Sequence, residues 1–267
     1  MADAGRVCVA VLGLGEAGGE IARDLVRAGA EVRGYDPAVG APEGVTGCRD
    51  ESDAVTGACV VLSVNSAADA LTAARRGAPA FAPGAVWADL NTGSAGLKRA
   101  LAGELARTPG LFADVALMSP VPGRGLRTPM LASGAGAEAY RAVMVPLGAA
   151  VEVLPGEPGD AATRKLLRSV FFKGLAAAVV EALAAARAAG CEDWLRANIA
   201  DELTRAAPQT VDRLERGSRR HAARRVHEMA AAVELLGELG VPARVAAASR
   251  DLLAELAAGP PGHTDAG

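Results

Sequence analysis

Short apolar runs alternate with helix-spaced segments over roughly the first 155–160 residues, and then the alternation stops. The runs Val7–Leu12, Glu31–Tyr35, Cys59–Val64, Val86–Leu90, Leu111–Ala116, Met130–Ser133 and Ala150–Val153 read as strands, with helical segments between most of them. Alternating strand and helix implies an α/β unit, a mostly parallel, doubly wound sheet with helices on both faces. After Gly159 no further strand is expected. Helical runs cover 160–189, 192–205, 208–219, 220–239 and 242–257, punctuated by Gly190, Pro208, Gly240 and Pro242. The run 160–189 would be about 45 Å long at ~1.5 Å per residue, long enough for a spine between domains. The chain is therefore read as a sheet domain (1–158), an all-α domain (159–258) and a disordered tail (259–267).

Apolar residues make up 51% of the chain but aromatics only 3%, so small aliphatic side chains must fill the core. The formal net charge of −3 implies no basic face, which argues against nucleic acid as a partner. Cys8, Cys48, Cys59 and Cys191 form no CxxC pair and lie near no histidine, so they read as isolated thiols of a cytoplasmic protein, with no metal site. The N-terminus lacks an export pattern. The most apolar stretch, Gly174–Ala186, contains Glu181 and is Ala-rich, so no membrane span is expected.

The first chemistry follows the first strand. Gly13-Leu14-Gly15-Glu16-Ala17-Gly18 opens a helical run, the strand Glu31–Tyr35 follows, and Asp36 closes it. Gly13 permits a tight turn, Gly15 lets backbone approach a pyrophosphate, and Gly18 lets helix and strand pack closely. The helix N-terminus then offers free N–H groups to phosphate. GxGxxG alone is a weak signal, but here it follows a strand, opens a helix and is trailed by an acid, which is the context of a Rossmann dinucleotide fold. A carboxylate at Asp36 would accept ribose hydroxyls and repel a 2′-phosphate, which favours NAD. Arg33 and Arg49 are close in sequence and leave NADP open.

On these residues, and on the segments Asp89-Leu-Asn-Thr-Gly-Ser94, Asp114-Val-Ala-Leu-Met-Ser-Pro-Val-Pro122 and Gly159-Asp-Ala-Ala-Thr-Arg-Lys165-Leu-Leu-Arg-Ser169, the chain resembles the β-hydroxyacid dehydrogenase superfamily, which includes 3-hydroxyisobutyrate and 6-phosphogluconate dehydrogenases. The likeness covers nearly the whole chain. It is closest to phosphogluconate-dehydrogenase-like oxidoreductases of undefined substrate. It implies that Asn91 and Thr92 stand where a Ser-Thr pair approaches nicotinamide and substrate, and that Val64 and Asn65 line the middle of the cofactor. Ser94 either caps a helix or contacts substrate. Where relatives clamp a substrate carboxylate with Ser-Gly-Gly, this chain has Met118-Ser119-Pro120. Proline has no N–H to donate, which leaves Ser119 as the donor and puts a simple hydroxyacid substrate in question.

The resemblance places Lys165 at the family's catalytic lysine and Ser169 at its Asn partner. On a helix, Lys165, Arg168, Ser169 and Phe172 share one face. That stripe would make a poor core surface but a suitable wall for an anionic or carbonyl substrate. Lys165 would act as general acid/base if its pKa fell from about 10.4 toward neutrality, through partial burial and the neighbouring Arg168. Ser169 would hold the amine or the substrate oxygen, and Arg168 would pair with a carboxylate or phosphate. Lys173 is ambiguous. In the basic stretch Arg219–Glu228, His221 shares a face with Arg224, Arg225 and Glu228, and by resemblance His227 stands where some relatives face substrate with a lysine. His263, in the tail, is expected to be inert.

The expected function is an NAD-dependent (or NADP-dependent) oxidoreductase interconverting a hydroxyl and a carbonyl on a small anionic substrate. One alternative is reduction of a C=N bond. Imine reductases resemble this family but commonly replace the lysine, so Lys165 argues against it. The other is a dinucleotide-binding sensor without turnover. The resemblance also implies a homodimer with intertwined helical domains.

Overall fold

The computed structural model describes residues 6–259. The expected tail beyond Gly259, with His263, lies outside the described residues. Seven strands stand where the apolar runs predict them: β1 (Cys8–Leu12), β2 (Glu31–Tyr35), β4 (Val60–Ser63), β5 (Val86–Asp89), β6 (Leu111–Leu117), β7 (Met130–Ser133) and β8 (Val151–Val153). An eighth, β3 (Thr46–Gly47), follows β2 in the chain and was not anticipated. It is two exposed residues long, so it carries no apolar signature.

The sheet order is β3-β2-β1-β4-β5-β6-β7-β8, parallel throughout except for the β6/β7 pair. Alternation along each strand feeds two cores. Val9, Val11, Val60, Leu62, Val86 and Ala88 face one layer with Ile21 and Leu25 of α1 (Glu16–Arg27) and Tyr140 and Met144 of α5 (Ala137–Met144). Ala10, Leu12, Val61 and Trp87 face the other, with α2 (Glu51–Val55), α3 (Ala70–Gly77) and α4 (Ala95–Leu105). The strand order reverses between β1 and β4. The carboxyl ends of those strands therefore flank the crevice where open α/β sheets bind ligands.

From Asp160 on, every element among the described residues is helical: α6 (Asp160–Ala188), α7 (Glu192–Thr204), α8 (Gln209–Arg220), α9 (Ala222–Glu238) and α10 (Arg244–Ala258). The contacts divide the chain between Arg168 and Ser169 rather than at 158. The first turns of α6 thus pack with the sheet, and the remainder of that helix belongs to the helical unit. Within the helical unit the buried cluster is small: Ala185, Leu236 and Ala246. By length and composition α6 could cross a membrane, with only 6% of its apolar window buried. Glu181, in the middle of α6, is occupied by protein. Its carboxylate accepts the N–H groups of Arg244, Val245 and Ala246 at 2.7–2.8 Å and so caps α10, whose own N-cap residue Ala243 has no side-chain oxygen.

Desolvation pushes the Glu181 carboxyl up, but the three N–H groups and the Arg244 charge outweigh it and hold it below the usual carboxylate range. Glu181→Ala should lower the unfolding free energy by about 1 kcal/mol in denaturant melts, as loss of a cap does. Because the folded carboxyl titrates below the unfolded one, this stabilisation is present above the unfolded value near 4.3 and is lost as pH falls through the folded value. An unchanged melt, or a contribution that grows on acidification, contradicts this.

Candidate active site

The glycine loop turns tightly between β1 and α1. Gly13 has φ +98° and donates to the carbonyl of Tyr35 at 2.9 Å, and a Cβ there would strike the backbone of Val64. At Gly18 an added Cβ would overlap the carbonyl oxygen of Gly13, so this glycine serves helix–strand packing. Gly15 differs: a Cβ there would meet no protein atom. Gly15 is the N-cap of α1, which has no side-chain cap, and the first helical bond runs from Gly19 N to Gly15 O. The N–H groups of Glu16, Ala17 and Gly18 thus precede any intrahelical acceptor. Gly13, Gly15, Asp36, Val64 and Asn65 line one cavity of about 360 Å³, within the range of small-molecule sites. These features fit a dinucleotide pyrophosphate.

Asp36 braces that loop. Its Oδ2 accepts from Leu14 N at 2.8 Å, and its Oδ1 accepts from Ala38 N and Val39 N at 2.8 and 3.0 Å. Arg33 and Arg49 are both turned onto Asp53. The arginine lining the cavity is Arg76, paired with Glu51 at 3.4 Å.

A second construction crosses the last residues of β4, β5 and β7 and the middle of β6. Ser63, Asp89, Asp114 and Ser133 pair in register across β4, β5, β6 and β7, and all four are fully buried. Lys98 of α4, 1% exposed, lies over this row. Its Nζ is 2.6 Å from Asp89 Oδ2 and 2.8 Å from the Asp89 carbonyl, and it forms an ion pair with Asp114 Oδ1 at 3.1 Å. Asp114 Oδ2 accepts from Gly159 N and Ala162 N, both at 3.0 Å, and Ser133 Oγ accepts from Ala161 N. The start of α6 is thereby fastened to the sheet by a carboxylate placed at the positive end of its dipole. Sequence reasoning missed Lys98, Asp89, Asp114 and Ser133 as a unit. The available signal was two aspartates inside otherwise apolar strands.

The expected site residues separate according to what their side chains touch. Asn91 is buried, with its amide nitrogen 2.6 Å from Asp89 Oδ1, 2.8 Å from Asn65 Oδ1 and 3.0 Å from Ser63 Oγ. It thus ties strand ends together, whereas Thr92 is the exposed member of the pair. Ser94 caps α4, accepting from Leu97 N. Lys165, half-buried in the second turn of α6, donates to Thr92 Oγ1 at 2.7 Å. Ser119 is half-buried in the loop after β6, and Arg168 is exposed on α6. Ser169 and the two histidines belong to the helical unit. His227 is exposed on α9. His221 is exposed at the break between α8 and α9, with φ −115° and ψ 21°, so it is a junction residue and not a member of a continuous helical face.

Residues 8–149, just over half of the chain, match the family described as the NAD binding domain of 6-phosphogluconate dehydrogenase. The chain belongs to that family. It lies within the β-hydroxyacid dehydrogenase superfamily and carries an NAD(P)-binding oxidoreductase fold. Residues 186–256 match a domain of unknown function, DUF1932. No curated protein matches the chain. Among solved structures, the conserved protein MTH1747, of unknown function and described as similar to 3-hydroxyacid dehydrogenases, is 28% identical over 93% of this chain and 96% of its own, with TM-score 0.61. An imine reductase from Streptomyces aurantiacus is 22% identical over 92% and 93%, TM-score 0.78. A reductive aminase from Aspergillus terreus, in complex with NADPH and ethyl levulinate, is 18% identical over 94% and 93%, TM-score 0.75. At those identities the last two show a shared fold.

The two glycines should separate by experiment. Gly15→Val should leave the melting temperature of the full chain within about 2 °C of wild type and abolish NADH binding measured by nicotinamide fluorescence. Gly18→Ala should lower the melting temperature itself, because its Cβ has no room. Equal effects of the two substitutions on stability would contradict this assignment.

Proposed function

We propose that the protein is an NAD-dependent dehydrogenase that interconverts a hydroxyl and a carbonyl on a small anionic substrate, with Lys165 as general acid/base. The observation that carries this reading is the Lys165–Thr92 hydrogen bond at 2.7 Å. It sets the one amine expected to move a proton beside the exposed hydroxyl at the carboxyl end of β5, on the ligand side of the sheet.

A bound nicotinamide coenzyme would supply hydride acceptance and donation. Gly13, Leu14, Gly15, Glu16, Ala17 and Gly18 would hold its pyrophosphate through backbone, with Val64, Asn65 and Thr92 along its length. In alcohol oxidation, unprotonated Lys165 takes the hydroxyl proton. In carbonyl reduction, the ammonium returns it to the forming alkoxide. Thr92 orients the amine. Arg168 provides a fork for a carboxylate or phosphate, and Ser119 a hydroxyl donor.

NAD is favoured over NADP by the electrostatics of Asp36. A carboxylate offers about four lone-pair sites, two on each oxygen, and the three backbone N–H groups leave one on Oδ2 for a ribose hydroxyl. Its charge opposes a 2′-phosphate, and Arg33 and Arg49 are both committed to Asp53.

A homodimer completes the reading. Val170, Phe171, Val180, Trp194 and Val211 of the helical unit are each more than half exposed. So much uncovered apolar surface around so small a buried cluster suits a second copy of the chain.

The test is NAD(P) reduction by the full chain over a panel of hydroxyacids and phosphorylated alcohols, with Lys165→Ala alongside. Wild type should sediment as a dimer and turn over at least one panel member. It should prefer NAD over NADP by about tenfold or more in kcat/KM, and Lys165→Ala should lose about 10²–10⁴-fold in kcat. Full activity in Lys165→Ala removes the lysine from the mechanism. Turnover confined to cyclic imines with NADPH makes this a C=N reductase, and tight binding without turnover makes it a sensor.

A further inference from the structure

Lys98 is the buried charge for which the proposed chemistry has no use. It cannot reach a substrate, being 1% exposed and held between two fully buried carboxylates. We infer that Lys98 is a positioning residue for the reaction: by bridging Asp89 and Asp114 it fixes Lys165 against Thr92. This rests on the reading of Lys165 as the acid/base.

Two arms leave Lys98, and they meet again at the Lys165–Thr92 contact. One runs through Asp89, whose carboxylate holds the Asn91 amide, and Asn91 immediately precedes Thr92. The other runs through Asp114, whose carboxylate holds the N–H groups of Gly159 and Ala162, one turn before Lys165 on α6. Asp89 and Asp114 sit opposite each other on neighbouring strands, so the ammonium is what keeps two like charges side by side in the sheet. Their sum with Lys98 is −1, and the N-terminal dipole of α6 offsets it. Without the ammonium nothing bridges the two strands: two carboxylates left there repel, and a lone Asp114 carboxylate has no cation to tie it to position 89. What yields is the alignment of the β5 exit with the start of α6, and with it the 2.7 Å contact between Lys165 and Thr92. The row is also too deep for water to replace the lysine at low cost.

Lys98→Met alone strands both carboxylates and threatens the fold. The charge-balanced double variant K98M/D89N, which keeps the net charge of −1, therefore carries the test. Three quantities are read on the full chain: the thermal melt, the acetic-anhydride labelling rate of Lys165 relative to Lys173 by peptide mass spectrometry, and kcat with coenzyme KM. In the folded double variant, Lys165 labelling relative to Lys173 should change about fivefold or more, and kcat should fall about 30-fold while coenzyme KM stays within about threefold, since misplacement of a catalytic group by about 1 Å costs of order 10² in rate. A folded double variant with the wild-type labelling ratio and wild-type kcat overturns the inference. So does a lower melting temperature with neither quantity changed, which is the signature of a purely structural ion pair. If the wild type turns over no alcohol or imine, the proposed function fails, and the labelling ratio alone then decides whether Lys98 positions Lys165.

Discussion

The ammonium group of Lys98, set between the carboxylates of Asp89 and Asp114, is the interaction on which the first unit depends. Taking three charged groups out of water costs several kcal/mol each, and their mutual attraction and hydrogen bonds must offset it. The surrounding structure supplies further partners, although Asp114 Oδ1 has the Lys98 ion pair and accepts no hydrogen bond. Asn91 takes the second oxygen of Asp89, and the first N–H groups of α6 take Asp114. Removing one member of such a set is costly, of order 3–5 kcal/mol, because the others stay buried and unpaired. A register of four polar residues across four strands therefore fixes where the strand ends lie and where the long helix begins.

The coenzyme crevice is built on different physics. Its buried charge, Glu51, lies on the cavity wall paired with Arg76 and away from the glycine loop. Gly13 and Gly18 keep backbone against backbone, and Gly15 keeps space clear. Asp36 links that crevice to the turn after β2 by accepting from Leu14, so the same carboxylate that suits a ribose also stiffens the loop that suits a pyrophosphate. The reacting end proposed above falls between the two constructions, where Lys165 donates to Thr92, each a short step along the chain from an atom that Lys98 or its aspartates hold.

Much of this was legible in the sequence. Parallel strands buried on both faces read as unbroken apolar runs, so β1 and β4 were found within a residue or so. The glycine spacing specified its own local geometry, and the lysine on α6 came from the family likeness. Other features were hidden because they depend on register. Nothing along the chain says that Ser63, Asp89, Asp114 and Ser133 will stand side by side, since that follows only once four strands are paired. The same ignorance sent Asn91 toward substrate, when its amide faces inward to Ser63, Asn65 and Asp89. The sequence reading placed the break between 219 and 220 and so put His221 inside the next helix, whereas α8 runs on to Arg220 and His221 is the junction before α9. The domain boundary fell near the last strand in the sequence reading. In the structure, Asp114 and Ser133 draw the first turns of α6 into the sheet unit.

The proposed reacting centre at Thr92 and Lys165 is open to one decisive measurement, a crystal structure of the full chain with NADH and a non-reacting carboxylate analogue. The nicotinamide ring should lie beside Thr92, with Lys165 Nζ within roughly 3–4 Å of the analogue's oxygen. A nicotinamide ring seated away from the end of β5, or a Lys165 amine turned to solvent with the analogue bound elsewhere, would contradict it.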